Sequence, residues 1–537
     1  MLINYYYNLM RPLFILLFFV FISESQAQDS FFLVTFHNKD NTTHSLERPE
    51  EFLSVEAIAR RDKFNIDIDS TDLPIALSNI EAVETAGAKI WYATKWLNGV
   101  IVSEADSSAI AQLDIVEKVR NMSDKTLGGI EKSYDYKESF KVNNARNQVQ
   151  NEMIGLDVMH EMGYKGQGIK IAVLDAGFSN YNNVPQFSDV DIVDTYDFYS
   201  KNSTVEDDHH HGTEVMSTMA AFEEGEYEGG SPEASYYLYR TENTSFETRI
   251  EELMWLMAAE RADSIGIDII QSSLGYYDFD EPSQNYTHED LNGKIAWITL
   301  AANHAFQKGI VVVVSAGNEG NSSWEKITFP SDSPFVLTIG SVNANEEKAL
   351  SSSIGPTADN RIKPDVMALG QSCVVIGTNG TVKSSSGTSF SAPQMASFVA
   401  GLLEHNGSLT PSQVMNMVKQ SGDRKFNLGN EYGYGIPNFS RALNVSAISD
   451  ITTLDEVKVY PNPVNGERIS LELPQEMLGK TIKIEWFNME GRKLDKIKLS
   501  QLDKINTIDV PAKARGQYIL LRIQFDGGVR TIKVKVN

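Results

Sequence analysis

Cysteine is almost absent: the 537 residues hold one, Cys373. A lone cysteine excludes an intramolecular disulfide framework, so a chain working outside the cell must rely on core burial or bound ions. Its Ser-Cys-Val-Val setting reads as a strand, and Cys373 is expected to be a small buried apolar residue. Basic charge is also short, with 47 Lys and Arg against 72 Asp and Glu and a formal net charge of −25. That balance argues against a nucleic-acid partner, because such proteins need a basic surface to displace counterions from phosphate. Long apolar runs are missing beyond the first residues. The early run, Leu13 to Ile22 behind Arg11, is too short to span a bilayer and ends in polar residues, which is the pattern of a signal peptide, with a membrane anchor as the alternative. Ser25-Gln26-Ala27 places cleavage before Gln28.

What is present divides by rhythm. The length favours two to four domains, and 42% hydrophobic with 22% charged residues is the composition of folded material. After a signal peptide at 1–27, residues 28–122 mix strand-like runs (Phe31 to Phe36, Val100-Ile101-Val102) with helical patterns at Ser54 to Arg61 and Ile80 to Ala86, a small α+β domain. Residues 123–151 turn polar, as a linker or processing region does. From 152 to 446 short apolar strands (Ile169 to Leu174, Ile267 to Ile270, Ile310 to Val314) alternate with helical patterns at Glu247 to Asp263 and Lys294 to Lys308. This is α/β, a doubly wound parallel sheet whose unbroken Val and Ile runs suit burial on both faces. A linker at 447–454 leads to residues 455–537, where alternating strands and turns at Asn465-Gly466, Glu490-Gly491 and Asp526-Gly527-Gly528 predict a small all-β sandwich. That last segment carries about +4 net charge, so the acidity belongs to the rest of the chain.

Peptide hydrolysis by a serine needs an exposed hydroxyl, a histidine to take its proton, a carboxylate to orient the histidine and donors for the oxyanion. The central section supplies all four. Ser389 lies in Gly387-Thr388-Ser389-Phe390-Ser391-Ala392-Pro393, ahead of a helical pattern from Gln394 to Leu403. A helix N-terminus is where free N–H groups stabilise negative charge. Asp175 follows the strand Ile169 to Leu174, and His211 precedes a helical run from Val215 to Ala221. Asn318 ends Ser315-Ala316-Gly317-Asn318 and offers an amide donor. Singly each reads as a cap, loop or turn residue; together, in one domain, they read as a catalytic set.

With their flanks, Asp175, His211, Asn318 and Ser389 resemble the subtilase family of serine proteases over roughly Ile154 to Asn444, most specifically around Ser389. The resemblance implies a subtilisin-like fold and a secreted serine endopeptidase acting on protein or peptide substrates, with Asp175, His211 and Ser389 as triad and Asn318 as oxyanion donor. It implies that Ser273, Leu274 and Gly275 form one edge of the substrate channel, and that Ser315, Ala316 and Gly317 line a wall of the pocket for the residue before the cut. No cofactor is needed for the chemistry; a structural calcium is implied, without assignable ligands. Three positions depart from the family pattern: Ala176 for Ser or Thr, Glu214 for a second histidine, and Ser397 for Gly or Ala. Glu214 leaves the pH optimum open. His209-His210-His211 invites a zinc reading, but adjacent residues do not converge on one ion, and His209 and His210 are expected to be exposed loop residues. Tyr276 and Tyr277 either pack or touch substrate.

The segment from Phe31 to Met122 resembles the inhibitory propeptides of subtilases, which implies a folding aid that covers the active site until cut away within Ser123 to Asn151; a permanent domain is the alternative. Val457-Lys458-Val459-Tyr460-Pro461-Asn462-Pro463, Gly516-Gln517-Tyr518 and the final Lys533-Val534-Lys535-Val536 resemble a type IX secretion sorting domain. The implied partners are the chain's own propeptide and the type IX machinery, and the implied location is secreted or at the cell surface. A substrate-binding β module is the alternative for this end.

Overall fold

The computed structural model describes residues 31–122, 147–206, 209–245, 247–445, 457–473, 481–488, 492–500, 502–525 and 528–537. The expected signal peptide, the linker at 447–454 and most of the region 123–151 lie outside the described residues, as do the turns at Glu490-Gly491 and Asp526-Gly527.

The N-terminal unit is an antiparallel sheet, β1 (Phe32–Phe36), β2 (Lys89–Thr94), β3 (Gly99–Ser103) and β4 (Val116–Asn121), in the order β2-β3-β1-β4. Helices α1 (Val55–Phe64), α2 (Leu77–Thr85) and the short α3 (Ser107–Ile110) complete it. α1 starts where Ser54 Oγ accepts from Ala57 N at 3.1 Å, satisfying a donor that the first turn leaves open. Strand residues alternate between two cores, because successive side chains point to opposite faces: Val34, Val100 and Val102 pack with Val83 of α2, whereas Leu33 and Ile101 join a core shared with the central domain.

The central domain opens with α4 (Gln148–Ile154) and α5 (Leu156–Glu161). This corrects the linker boundary, since residues 147–151 are held in the central domain and not in a loose connection. Asn147 and Asn151 both donate through Nδ2 to Glu228 O, at 2.7 and 2.9 Å, and Gln150 Oε1 accepts from Val374 N at 2.9 Å. Seven parallel strands follow: β5 (Lys170–Asp175), β6 (Asp191–Asp197), β9 (Ser235–Arg240), β10 (Ile269–Ser272), β11 (Val311–Ser315), β12 (Val336–Val342) and β13 (Val366–Leu369), ordered β13-β12-β11-β10-β5-β9-β6. Their neighbours are α6 (His211–Ala220), the hairpin β7 (Phe222–Glu223) and β8 (Tyr227–Glu228), α7 (Arg249–Ile265), α8 (Trp297–Gln307), the pair β14 (Cys373–Ile376) and β15 (Val382–Ser385), α9 (Thr388–His405), α10 (Pro411–Gln420) and α11 (Phe439–Leu443). The Val-rich β11 is buried along its whole length and serves both faces: Val311 and Val313 share a core with Phe390 and Met216 of α9 and α6, while Val312 and Val314 pack with Leu253 and Ala301 of α7 and α8. Cys373 is buried, as expected, and its thiol donates to Gln150 Oε1 at 3.2 Å.

The N-terminal sheet docks on α7 and α8 through charge as well as apolar contact. Arg60 donates to Ile267 O (2.6 Å), Lys308 O (3.0 Å) and Asp263 Oδ1 (2.6 Å), and Arg61 donates to Lys308 O (2.7 Å), Asp72 (2.9 Å) and Asp263 Oδ1 (2.8 Å). Glu260 accepts from Thr94 Oγ1, Lys95 N and Trp96 N at 2.6, 3.0 and 3.0 Å.

The C-terminal unit pairs a sheet of β16 (Lys458–Tyr460), β17 (Arg468–Glu472) and β20 (Ile505–Asp509) with one of β18 (Thr481–Asn488), β19 (Lys493–Ser500), β21 (Gln517–Phe525) and β22 (Gly528–Val536). Ile469 and Leu471 from one sheet meet Ile482, Ile484, Trp486, Ile519 and Leu521 from the other, the period-two pattern of a sandwich. The prolines flanking Asn462 lie in the turn after β16, which Asn462 fastens to the last strand by donating to Lys533 O and accepting from Lys535 N, both at 3.0 Å.

Candidate active site

Three central strands end together: β5 in Asp175, β10 in Ser272 and β11 in Ser315. Open α/β sheets bind ligands beyond these carboxyl ends. Asp175 is the last residue of its strand and is fully buried. Its Oδ1 accepts from Ala176 N at 2.8 Å and lies 2.7 Å from His211 Nδ1. A carboxylate can only accept, so Nδ1 carries the proton and Nε2 is left as the basic nitrogen. Asp175 Oδ2 is buried with no hydrogen-bond partner among the described residues, and Ala176 has no hydroxyl to offer it.

His211 is the first residue of α6 and is buried. Burial pulls its pKa down, but the Asp175 charge and hydrogen bond, with Glu214 and Glu242, push it further the other way, so it stands above the ordinary imidazole value. Glu214 is not a bare charge beside the histidine: Lys383 Nζ lies 2.5 Å from its Oε1 and Ser385 Oγ donates to Oε2 at 3.0 Å. His209 and His210 differ from expectation. Both are half-buried rather than exposed, their rings 4.4 Å apart: Ser179 N donates to the His209 carbonyl at 3.1 Å, His211 N donates to His209 Nδ1 at 3.2 Å, and His210 Nε2 lies 3.5 Å from Glu214 Oε1. Burial, then His210 and His211, push the His209 pKa down to about 4. Among the described residues no group of three or more His, Cys, Asp and Glu is arranged to hold a metal ion, so the zinc alternative finds no ligand set there.

Ser389 sits inside the first turn of α9, which begins at Thr388 rather than near Gln394 and carries Pro393 within it. Proline has no N–H, so the Ser389 carbonyl loses its helical donor. Ser273 Oγ takes that place, donating to Ser389 O at 2.9 Å, while Gln271 Nε2 donates to Ser273 Oγ at 2.7 Å. Ser273 therefore fixes the turn that carries Ser389. Gly387, just before the helix, has φ 154°, a region that side chains disfavour. The His211 ring meets Phe390, the residue after Ser389, edge to face at 6.0 Å.

Asn318 is held by one end. Its Oδ1 accepts from Thr388 N at 2.9 Å and Thr388 Oγ1 at 3.1 Å, which leaves Nδ2 as the group to donate. Asn318 and Ser389 line one cavity of about 560 Å³ with Ser273, Leu274, Gly275, Ser315 and Gly317. Ala316 does not line it; it is buried behind the wall, donating to Ile339 O and accepting from Thr328 N at 2.9 and 3.2 Å. Tyr276 is fully buried and donates to Glu242 at 2.7 Å, whereas Tyr277 lines the cavity and stacks on Trp324 at 4.6 Å. Ser397 is accommodated opposite Gly230, where its hydroxyl bonds Ser231 Oγ at 2.8 Å. Lys383 and Thr328 carry no motif, and only their contacts reveal them.

Three family models match this chain: the subtilase family over residues 166–435, the peptidase S8 propeptide domain of Bacteroidota over 31–139, and a secretion system C-terminal sorting domain over 458–537. Subtilisin DY from Bacillus licheniformis is 30% identical over 285 residues, covering 53% of this chain and 93% of that one. Subtilisin E and the serine protease AprX, both from Bacillus subtilis (strain 168), are each 29% identical, over 52% and 51% of this chain, and in each case the match spans 65% of the relative's length. The solved structure of MycP1 from Mycobacterium smegmatis aligns with a TM-score of 0.45 at 20% identity, over 55% of this chain and 84% of that one.

Proposed function

The chain belongs to the subtilase family, and on that premise we propose that it cleaves peptide bonds in proteins through an acyl-enzyme on Ser389. It is a secreted, subtilisin-like serine protease made as a precursor, with an S8 propeptide in front and a type IX sorting domain behind. The observation that carries the residue assignment is the buried Asp175–His211 hydrogen bond of 2.7 Å beside a helix turn that presents Ser389 to the same cavity as Asn318.

In this reading a substrate strand lies along Ser273 to Gly275, its residue before the cut facing Ser315 and Gly317. His211 Nε2 takes the Ser389 proton as the hydroxyl attacks the scissile carbonyl, and Asp175 stabilises the imidazolium that forms. Asn318 Nδ2 and the Ser389 N–H receive the oxyanion. The proton then passes to the leaving amine, and water, activated by the same histidine, releases the acyl group. Side chains and main-chain N–H of the chain itself fill every role, and a calcium ion would serve stability rather than this chemistry. The N-terminal domain acts as the inhibitory propeptide, bound on α7 and α8, with processing after Met122.

The test is casein hydrolysis by the matured protein beside Ser389→Ala, with each precursor followed on gels. The wild type should cut casein and shed its N-terminal domain while the variant stays inert and full length; a Ser389→Ala protein that processes itself and digests casein would end the reading.

A further inference from the structure

The two walls that receive the residue before the cut are tied together by one short segment. Thr328 N donates to Ala316 O at 3.2 Å on one side, and Phe329 exchanges two hydrogen bonds with Tyr276, each 3.0 Å, on the other. Ile327 and Phe329 are fully buried on either side of it, so Thr328 has no room to swing away. Its side chain stands between two glycines. A Cβ at Gly275 would fall 2.1 Å from Thr328 Oγ1, and one at Gly317 would fall 2.9 Å from both Oγ1 and Cγ2. Thr328 is 4% exposed, it lines the same cavity as Ser389, and its Oγ1 has no hydrogen-bond partner among the described residues. A hydroxyl left without a partner argues that position 328 is not there to bond the scaffold.

Resting on the peptidase reading above, the geometry points to Thr328 as the residue that sets what the enzyme accepts immediately before the cut: its side chain closes the slot between Gly275 and Gly317, so that glycine, alanine and serine fit and aromatic or long aliphatic side chains do not. Forcing a larger group against a rigid, packed floor displaces the scissile carbonyl from Ser389 and Asn318, and misplacement of that kind lowers turnover steeply.

The test uses the matured full chain on a proteome-derived peptide library, with the new carboxyl ends sequenced and active sites counted by a small fluorophosphonate. Cleavage after Gly, Ala and Ser should exceed cleavage after Phe, Tyr and Leu by at least about 10-fold. Thr328→Gly should raise kcat/KM for a Phe-ended substrate relative to its Ala counterpart by about 10-fold or more, and Thr328→Val, which keeps the shape, should retain the wild-type order. Should Thr328→Gly fail to fold, the wild-type profile and Thr328→Val decide. A protein that takes the fluorophosphonate and cuts after Phe or Leu as readily as after Ala overturns the slot but not the peptidase reading. Loss of the preference in Thr328→Val overturns it too, moving the cause from volume to the hydroxyl. Neither label nor cleavage defeats both.

Discussion

Replacing Asp263 by asparagine should free the N-terminal domain from the central one. Asp263 lies on α7, wholly buried, and takes three cations from the other domain: Arg60 at 2.6 Å, Arg61 at 2.8 Å and Lys95 at 3.1 Å. Burial alone would push this carboxyl up, but Lys95, Arg60 and Arg61 overcome it and hold it at about 2. Breaking a buried ion pair by removing one partner costs about 3–5 kcal/mol. Asp72 stays 2.9 Å from Arg61, so the low end applies. At 1.4 kcal/mol per factor of ten, the dissociation constant of the processed N-terminal domain should rise about 10²-fold. The assay is the concentration dependence of latent activity in the self-processed complex, read from the lag in peptide hydrolysis after dilution. A carboxyl whose pKa is depressed contributes above its ordinary value near 4 and is lost only as pH falls through about 2, so the wild-type contribution from this group should be flat from pH 5 to 8. A change in the constant of less than threefold, or an equal loss of latency in a wild type merely taken from pH 8 to 5, would refute the reasoning.

Asn318→Ala should lower kcat by about 10²- to 10³-fold with little change in KM, because in the proposed mechanism its amide meets the oxyanion and not the resting carbonyl. Glu214→Gln should move the acid limb of kcat/KM to lower pH: His211 must be neutral to accept the proton, its raised pKa owes part of its height to Glu214, and the variant removes that part while leaving Lys383 positive nearby. Ser273→Ala strips the Ser389 carbonyl of the donor that replaces Pro393, so thermal unfolding should show a loss of about 1–3 kcal/mol, together with reduced kcat from a looser nucleophile turn.

The proposed catalytic set, Asp175, His211, Asn318 and Ser389, could be singled out in the sequence by its flanks, and the parallel sheet was legible because strands buried on both faces leave unbroken Val and Ile runs. What escaped the sequence depends on distant partners. Asn147, Gln150 and Asn151 look like linker residues by polarity, yet their amides satisfy Glu228 and Val374 across the fold. Pro393 reads as a helix breaker, which delayed the expected start of α9; in the structure the carbonyl it orphans is supplied from Ser273. His209 and His210 resemble loop residues in composition, and contacts with Ser179 and His211 for the one and with Glu214 for the other draw them in. Thr328 could not be singled out at all, since its significance is its position between two glycines supplied by other strands' ends.

The hydrogen bond from Ser273 to Ser389 spans 116 positions of the chain, and the one from His211 to Asp175 spans 36. Neither the proposed nucleophile nor its proposed base is therefore prepared by local sequence; both await assembly of the sheet. A nascent or threaded polypeptide of this composition is chemically inert toward its neighbours, so the producing cell handles a harmless strand, and destructive capacity arises only once tertiary structure is in place.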